Sequence, residues 1–269
     1  MKAKTGSFYP EELERYARHI SLREIGGAGQ RKLKNSSVLV VGAGGLGSPA
    51  LLYLAASGVG TLGIADDDDV SVANLQRQII HASDRLGTPK TTSAEMSIGS
   101  LNPFVNVESH RVRFAESNAT ELLRGYEIVL DGSDNFDTRY LVNKACADAR
   151  LPLVSGAIGQ WEGQVSVFDP ARGAPCYACV FPERPAEGLA PSCAEAGVVG
   201  ALPGVVGAIM AMEATKLITG AGECLTGRML IYDALWCESR IVNVARDPNC
   251  PVCGAIEPVV RSAALDAAT

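Results

Sequence analysis

From residue 37 to about residue 156 the chain repeats one arrangement: a short apolar run, a glycine-rich or polar break, then apolar positions at helical spacing. Ser37-Val-Leu-Val-Val41 is the first such run and predicts a strand; Ser48 to Ser57, with Pro49 in its first turn, predicts the helix after it; Thr61 to Ala65 predicts the next strand. The same reading gives helices at 75–81, 88–101, 116–123 and 136–150 and strands at 105–112, 127–130 and 153–154. Ahead of this block, Glu11 to Glu24 carries Leu13, Tyr16, Ala17 and Ile20 at helical spacing and predicts one amphipathic helix. Beyond Gly156 the pattern changes. Gln164 to Phe168 alternates, 169–197 reads as loop with five prolines and three cysteines, Pro203 to Thr219 is an apolar helix, and 229–232 with 239–244 form a closing hairpin.

Strands alternating with helices imply an α/β fold, a doubly wound and mostly parallel Rossmann-like sheet, here with a C-terminal elaboration. With no internal repeat or Gly/Ser linker, residues 1–254 read as one domain: a nucleotide-binding part at 37–156, a part at 157–254 carrying the cysteine pairs, and a tail at 255–269 without readable signal. The 28 uncharged residues from Val38 to Ala65 could span a bilayer by length, but seven glycines and Pro49 interrupt them, so a buried strand-helix-strand is expected and no membrane.

Composition then narrows the partners. Twenty-four Lys and Arg against 30 Asp and Glu give a net charge of -6, which removes the basic surface that nucleic acids need, and aromatics at 6% leave no stacking platform. The N-terminus has no basic-then-apolar leader, so a cytoplasmic, reducing setting is expected, where paired cysteines mean metal or catalysis.

Gly42-Ala-Gly44-Gly45-Leu-Gly47 fits G-x-G-x-x-G between a predicted strand and helix. There the glycines allow a tight turn, and the helix N-terminus offers free N–H groups to phosphate oxygens. Asp66 lies 24 residues beyond Gly42, at a strand end where a carboxylate can bind ribose hydroxyls. NAD, FAD and adenine nucleotides all fit these features. Arg77, in Asn74-Leu-Gln-Arg-Gln78, and Lys90 are each first of all surface charges; together, close behind the ribose carboxylate, they suit a polyphosphate better than a dinucleotide. Asp134, past the strand 127–130, is placed either for Mg²⁺ or as a turn or cap ahead of Phe136.

Cys176-Tyr-Ala-Cys179 and Cys250-Pro-Val-Cys253 are two CxxC turns with 70 residues between them, the donor set of a closed structural zinc site. Cys146 and Cys237 read as buried packing residues, and Cys224 has no evident partner. Cys193, in a Pro- and Gly-rich segment, is either an incidental thiol or a nucleophile.

Taken together, Arg15-Tyr-Ala-Arg18, the glycine loop, Asn74 to Gln78, Pro89-Lys90, Asp131-Gly-Ser-Asp-Asn135, Cys193-Ala-Glu-Ala-Gly197 and both CxxC pairs resemble the ThiF and MoeB family of E1-like adenylyltransferases, over residues 10 to 254. The resemblance implies a homodimer that binds ATP at the glycine loop (Gly42, Gly44, Gly45, Gly47). It implies that the C-terminal Gly-Gly carboxylate of a ubiquitin-like sulfur carrier protein is activated as an acyl-adenylate, for thiamine or molybdopterin sulfur transfer. By position, Asp66 matches the ribose ligand, Asn74, Arg77 and Lys90 the phosphate clamp, Asp134 the Mg²⁺-binding aspartate beside the nucleotide-binding Asn135, and Arg18 an arginine lent to the neighbouring subunit's ATP. Cys193 matches a loop cysteine used for sulfur transfer in some members. Since no rhodanese-like domain follows Gly254, sulfur is expected from a separate cysteine desulfurase or rhodanese-like protein. An NAD-dependent oxidoreductase stabilised by structural zinc is the competing reading, favoured by the glycine loop and Asp66 but not by Arg77, Lys90 or the cysteine pairs.

Overall fold

The computed structural model describes residues 7–185 and 196–259. Eight strands, β1 (Ser37–Val41), β2 (Thr61–Ala65), β3 (Asn106–His110), β4 (Ile128–Asp131), β5 (Leu153–Gly159), β6 (Glu162–Phe168), β7 (Arg228–Asp233) and β8 (Glu238–Asn243), form one sheet in the order β3-β2-β1-β4-β5-β6-β7-β8. The first five are parallel, and β5-β6, β6-β7 and β7-β8 are antiparallel. β1 and β4 lie at the centre, where Val38, Leu39, Val40, Val129 and Leu130 are fully buried, as expected of parallel strands covered on both faces. This bears out the expected doubly wound α/β sheet.

The longer helices are α3 (Gly26–Asn35), α4 (Gly47–Ser57), α5 (Lys90–Leu101), α7 (Phe136–Ala149) and α9 (Leu202–Thr219), with short α1 (Pro10–Arg15), α2 (Ala17–Ile20), α6 (Ala119–Leu122) and α8 (Tyr177–Val180). The uncharged run 38–65 is β1, the glycine loop, α4 and β2. α9 is the one helix among the described residues long and apolar enough to cross a membrane, yet it packs on α4, β5 and β6. Met210 lies against Gly156 and Val206 against Gly163, so the helix sits close to the strands.

Two expected elements fail and one helix was not expected, each for a physical reason. The N-terminal amphipathic helix is two helices broken at Tyr16, whose ring is buried against Gly58 while Leu13 is 48% exposed. α3 has no counterpart among the expected elements, because Gly-Gly-Ala-Gly opens it; packing holds it, with Gln30 and Leu33 fully buried and Gln30 Nε2 donating to the Ser57 carbonyl. Residues 75–81 form turns after a 3-10 turn at Val72–Asn74, not a helix, and Ile79 is exposed while Ile80 is buried. Cys146 is buried as expected, but Cys237 is exposed, in the β7-β8 turn at φ +57°. Residues 255–259 continue the packing, and the Val259 N–H donates to the Ala171 carbonyl.

Candidate functional site

The glycine loop leaves β1 at the sheet's carboxyl end, beside the turn that follows β4, which is the switch point of a doubly wound sheet. Gly42 adopts φ +91°, with its α-carbon facing the Gly132 carbonyl. At Gly47 a Cβ would overlap the Gly42 carbonyl oxygen, so only glycine lets α4 start this close to the strand. Gly47→Ala is therefore expected to cost about 3 kcal/mol by overpacking, lowering Tm by roughly 6–10 °C and removing the extra stability that added ATP gives. Thermal melts with and without nucleotide check this; an unchanged melt would show that the loop relaxes freely.

Four segments converge on the loop. Asp66, at the end of β2, accepts the Ala43 N–H at 2.8 Å through Oδ2 and the Asp68 N–H at 2.9 Å through Oδ1. Burial raises its carboxyl above the ordinary value, against the pull of Lys90 and of these two amides. Lys90, the first residue of α5, is buried, and its Nζ donates to Asp68 Oδ2 at 2.7 Å. In the 72–81 segment the Arg77 side chain lies beside Gly45 and buried Gln78 beside Gly44, while Arg77 Nη1 donates to the Ala73 carbonyl. Asn74, on the same segment, accepts from Ser71 Oγ. The start of α9 closes the far side, with Pro203 against Gly45. Ser48 Oγ in α4's first turn and Gln78 Oε1 are buried with no hydrogen-bond partner among the described residues, as groups awaiting a polar ligand would be.

Beyond β4, Asp131 Oδ1 accepts from Ser133 N–H and Oγ, and Arg139 Nη2 donates to the Ser133 carbonyl at 2.8 Å, which fixes the turn. Asn135 caps α7 by accepting the Thr138 N–H at 2.9 Å. The cap considered for Asp134 thus belongs to its neighbour. Asp134 is exposed and makes no hydrogen bond or ion pair among the described residues, so its carboxylate is open to a hard cation.

One residue singled out from sequence is not brought here. Arg18 is exposed on α2, and α2 is fastened at the opposite end of the fold: Asn102, past the end of α5, donates to Tyr16 OH at 2.9 Å and to the Ala55 carbonyl at 2.6 Å. α4 and α5 start at the loop and end near Tyr16, a span of about 16–18 Å. Cys193 lies outside the described residues. His81, which sequence reading placed only at the end of a supposed helix, is buried beside the loop; its one visible signal was proximity to Arg77 and Gln78.

Away from this site, Cys176, Cys179, Cys250 and Cys253 bring four sulfurs within 4.8 Å of one another. The Sγ separations of 3.9 Å (176 to 179), 3.6 Å (176 to 250) and 3.4 Å (179 to 253) bracket the ~3.8 Å edge of a tetrahedron with Zn–S bonds of about 2.3 Å. All four are free thiols rather than disulfides, so the donor set fits zinc.

Comparison with known proteins places these features in a family. The model of the ThiF family matches residues 16–252. A protein of Thermus thermophilus named sulfur carrier protein adenylyltransferase is 51% identical over 93% of this chain and 94% of its own length. The SAMP-activating enzyme E1 of Haloferax volcanii is also 51% identical, over 90% of this chain and 89% of its own. Among solved structures, E. coli MccB with ATP superposes with a TM-score of 0.78 at 23% identity, covering 89% of this chain and 74% of that one, a likeness of fold.

Proposed function

This chain belongs to the ThiF family, and from that premise we propose that it is an ATP-dependent adenylyltransferase activating a small ubiquitin-like sulfur carrier protein that ends in Gly-Gly. The observation that carries the reading is the convergence of Asp66, Arg77 and Lys90 on one glycine loop. A dinucleotide enzyme has little use for two cations there, which disfavours the oxidoreductase alternative, as do the names of the two relatives.

In the proposed reaction an oxygen of the carrier's C-terminal carboxylate attacks the α-phosphorus of ATP. A carboxyl-oxygen-to-phosphorus bond forms, the bond to the bridging oxygen breaks, and pyrophosphate leaves with the electron pair. The carboxylate is ionised at neutral pH, so no general base is required. The obstacle is repulsion between two anions, which Arg77, Lys90 and the backbone N–H groups of the glycine loop offset while Asp66 and Asn74 orient the nucleotide. Mg²⁺ would be held by Asp134 next to Asn135, neutralising charge on the phosphates. Arg18 stands too far from its own loop to assist there, which favours a homodimer in which Arg18 serves the neighbouring subunit's ATP. Cys176, Cys179, Cys250 and Cys253 would hold a structural zinc ion. Cys193 is assigned to sulfur handling, with a cysteine desulfurase or rhodanese-like protein as donor, in thiamine or molybdopterin sulfur transfer.

Pyrophosphate exchange into ATP should require Mg²⁺ and a carrier with an intact Gly-Gly terminus. Tight NAD binding without exchange would overturn the assignment.

A further inference from the structure

Ala43, the second residue of the glycine loop, is held on both sides of its backbone. Its N–H goes to Asp66 Oδ2 at 2.8 Å, and its carbonyl faces His81 Nε2 at 2.9 Å. A carbonyl only accepts, so Nε2 carries the hydrogen; Nδ1, 2.9 Å from Ser93 Oγ, then accepts from that hydroxyl in the neutral ring. Burial, with Lys90 and Arg85 adding to it and the Ala43 carbonyl opposing it, lowers the imidazole below its ordinary value and keeps it neutral at pH 7. His81 thereby ties three parts of the site together: the loop through Ala43, helix α5 through Ser93, and the segment carrying Arg77 and Gln78 through its own backbone. The tie is braced by Arg85 Nη1, which donates to the Ser93 carbonyl at 2.6 Å and to Ser97 Oγ at 2.7 Å.

A trans peptide plane points its C=O and N–H in opposite directions. Holding the Ala43 carbonyl toward His81 therefore turns the Gly44 N–H away from it, and no backbone carbonyl among the described residues accepts that N–H. Gly42 and Gly44 flank Ala43, so without these ties the loop would hold the orientation only at a large entropic penalty.

We propose that His81 is a positioning residue for adenylyl transfer, fixing the Ala43–Gly44 peptide so that the Gly44 N–H is aimed at a phosphate oxygen of the nucleotide. The role rests on the adenylyltransferase reading. It is carried by a residue that touches neither substrate, and it should show in nucleotide binding rather than in carrier binding.

The test is calorimetric ATP binding to the full chain, together with carrier-dependent pyrophosphate exchange, for wild type, His81→Ala and His81→Gln. His81→Ala should weaken ATP about tenfold or more, the size expected when a buried carbonyl loses its donor, with the KM for carrier unchanged within twofold. His81→Gln, whose amide can still donate to Ala43, should recover most of that loss. Wild-type ATP affinity in His81→Ala overturns the role, as does an equal loss in both variants accompanied by a matching fall in Tm. A wild-type protein that binds no ATP overturns the adenylyltransferase reading and the role with it, so the two failures are distinguishable.

Discussion

Replacing Lys90 with methionine is expected to slow carrier-dependent pyrophosphate exchange about a thousandfold, equivalent to roughly 4 kcal/mol of transition-state stabilisation, while leaving the fold intact. A cation at the first residue of a helix faces the positive end of the helix dipole, and this one is also buried, its side chain only 5% exposed. Neither circumstance favours a lysine for stability, and both suit a charge kept in a water-poor site for an anion. Methionine preserves the length of the stem and leaves no large cavity. The partner left behind, Asp68, has a side chain 68% exposed and is solvated once the lysine is gone, while the partly buried Asp66 keeps the Ala43 and Asp68 amides. Steady-state exchange kinetics and a thermal melt decide the matter: an unchanged rate removes Lys90 from the phosphate clamp, and a rate lost in step with Tm makes it structural.

Cys250→Ser is expected to release about one zinc per chain and to lower Tm by roughly 10 °C or more, because binding free energy at a structural zinc site is folding free energy. The surroundings explain the size of the effect. Apart from the cysteines, the cluster holds Ala178 with partly buried Val252 and Ile256, too little apolar surface to keep the chain near residue 250 against α8. Arg246 reinforces the second cysteine turn, its Nη2 donating to the carbonyls of Cys253 at 2.5 Å and Ile256 at 2.6 Å, but these bonds depend on the turn already being closed. Elemental analysis alongside the melt checks the prediction, and full zinc retention in the serine variant would overturn the ligand assignment.

The glycine loop, the Asp66 position and both CxxC pairs were legible because each is a local pattern whose chemistry is set by residue type and spacing. The parallel half of the sheet was legible because burial on both faces leaves short uninterrupted apolar runs such as 37–41 and 128–130. What escaped depends on contacts distant in sequence. No propensity rule makes a helix of Gly-Gly-Ala-Gly; Gln30 bonding to Ser57 does. The 75–81 segment has apolar residues that suit a helix, yet its backbone follows turns that turn Gln78, Ile80 and His81 inward. The role of His81 lies in atoms of Ala43 and Ser93, 38 and 12 residues away, and a lone histidine gives no sequence signal of such partners.

With a metal ion bound, the two cysteine turns would also act on the unfolded chain. Between them run α9, β7 and β8, so a metal ion joining both turns closes a loop of 70 residues around those elements. A closed loop of that size removes about 4 kcal/mol of conformational freedom from the denatured ensemble on the chain-entropy model used for disulfides. It also shortens the search by which β7 finds β6, a strand that precedes it by 59 intervening residues. Since the first turn of α9 packs on Gly45, metal capture early in folding would bring the C-terminal half to the nucleotide loop as one preassembled piece.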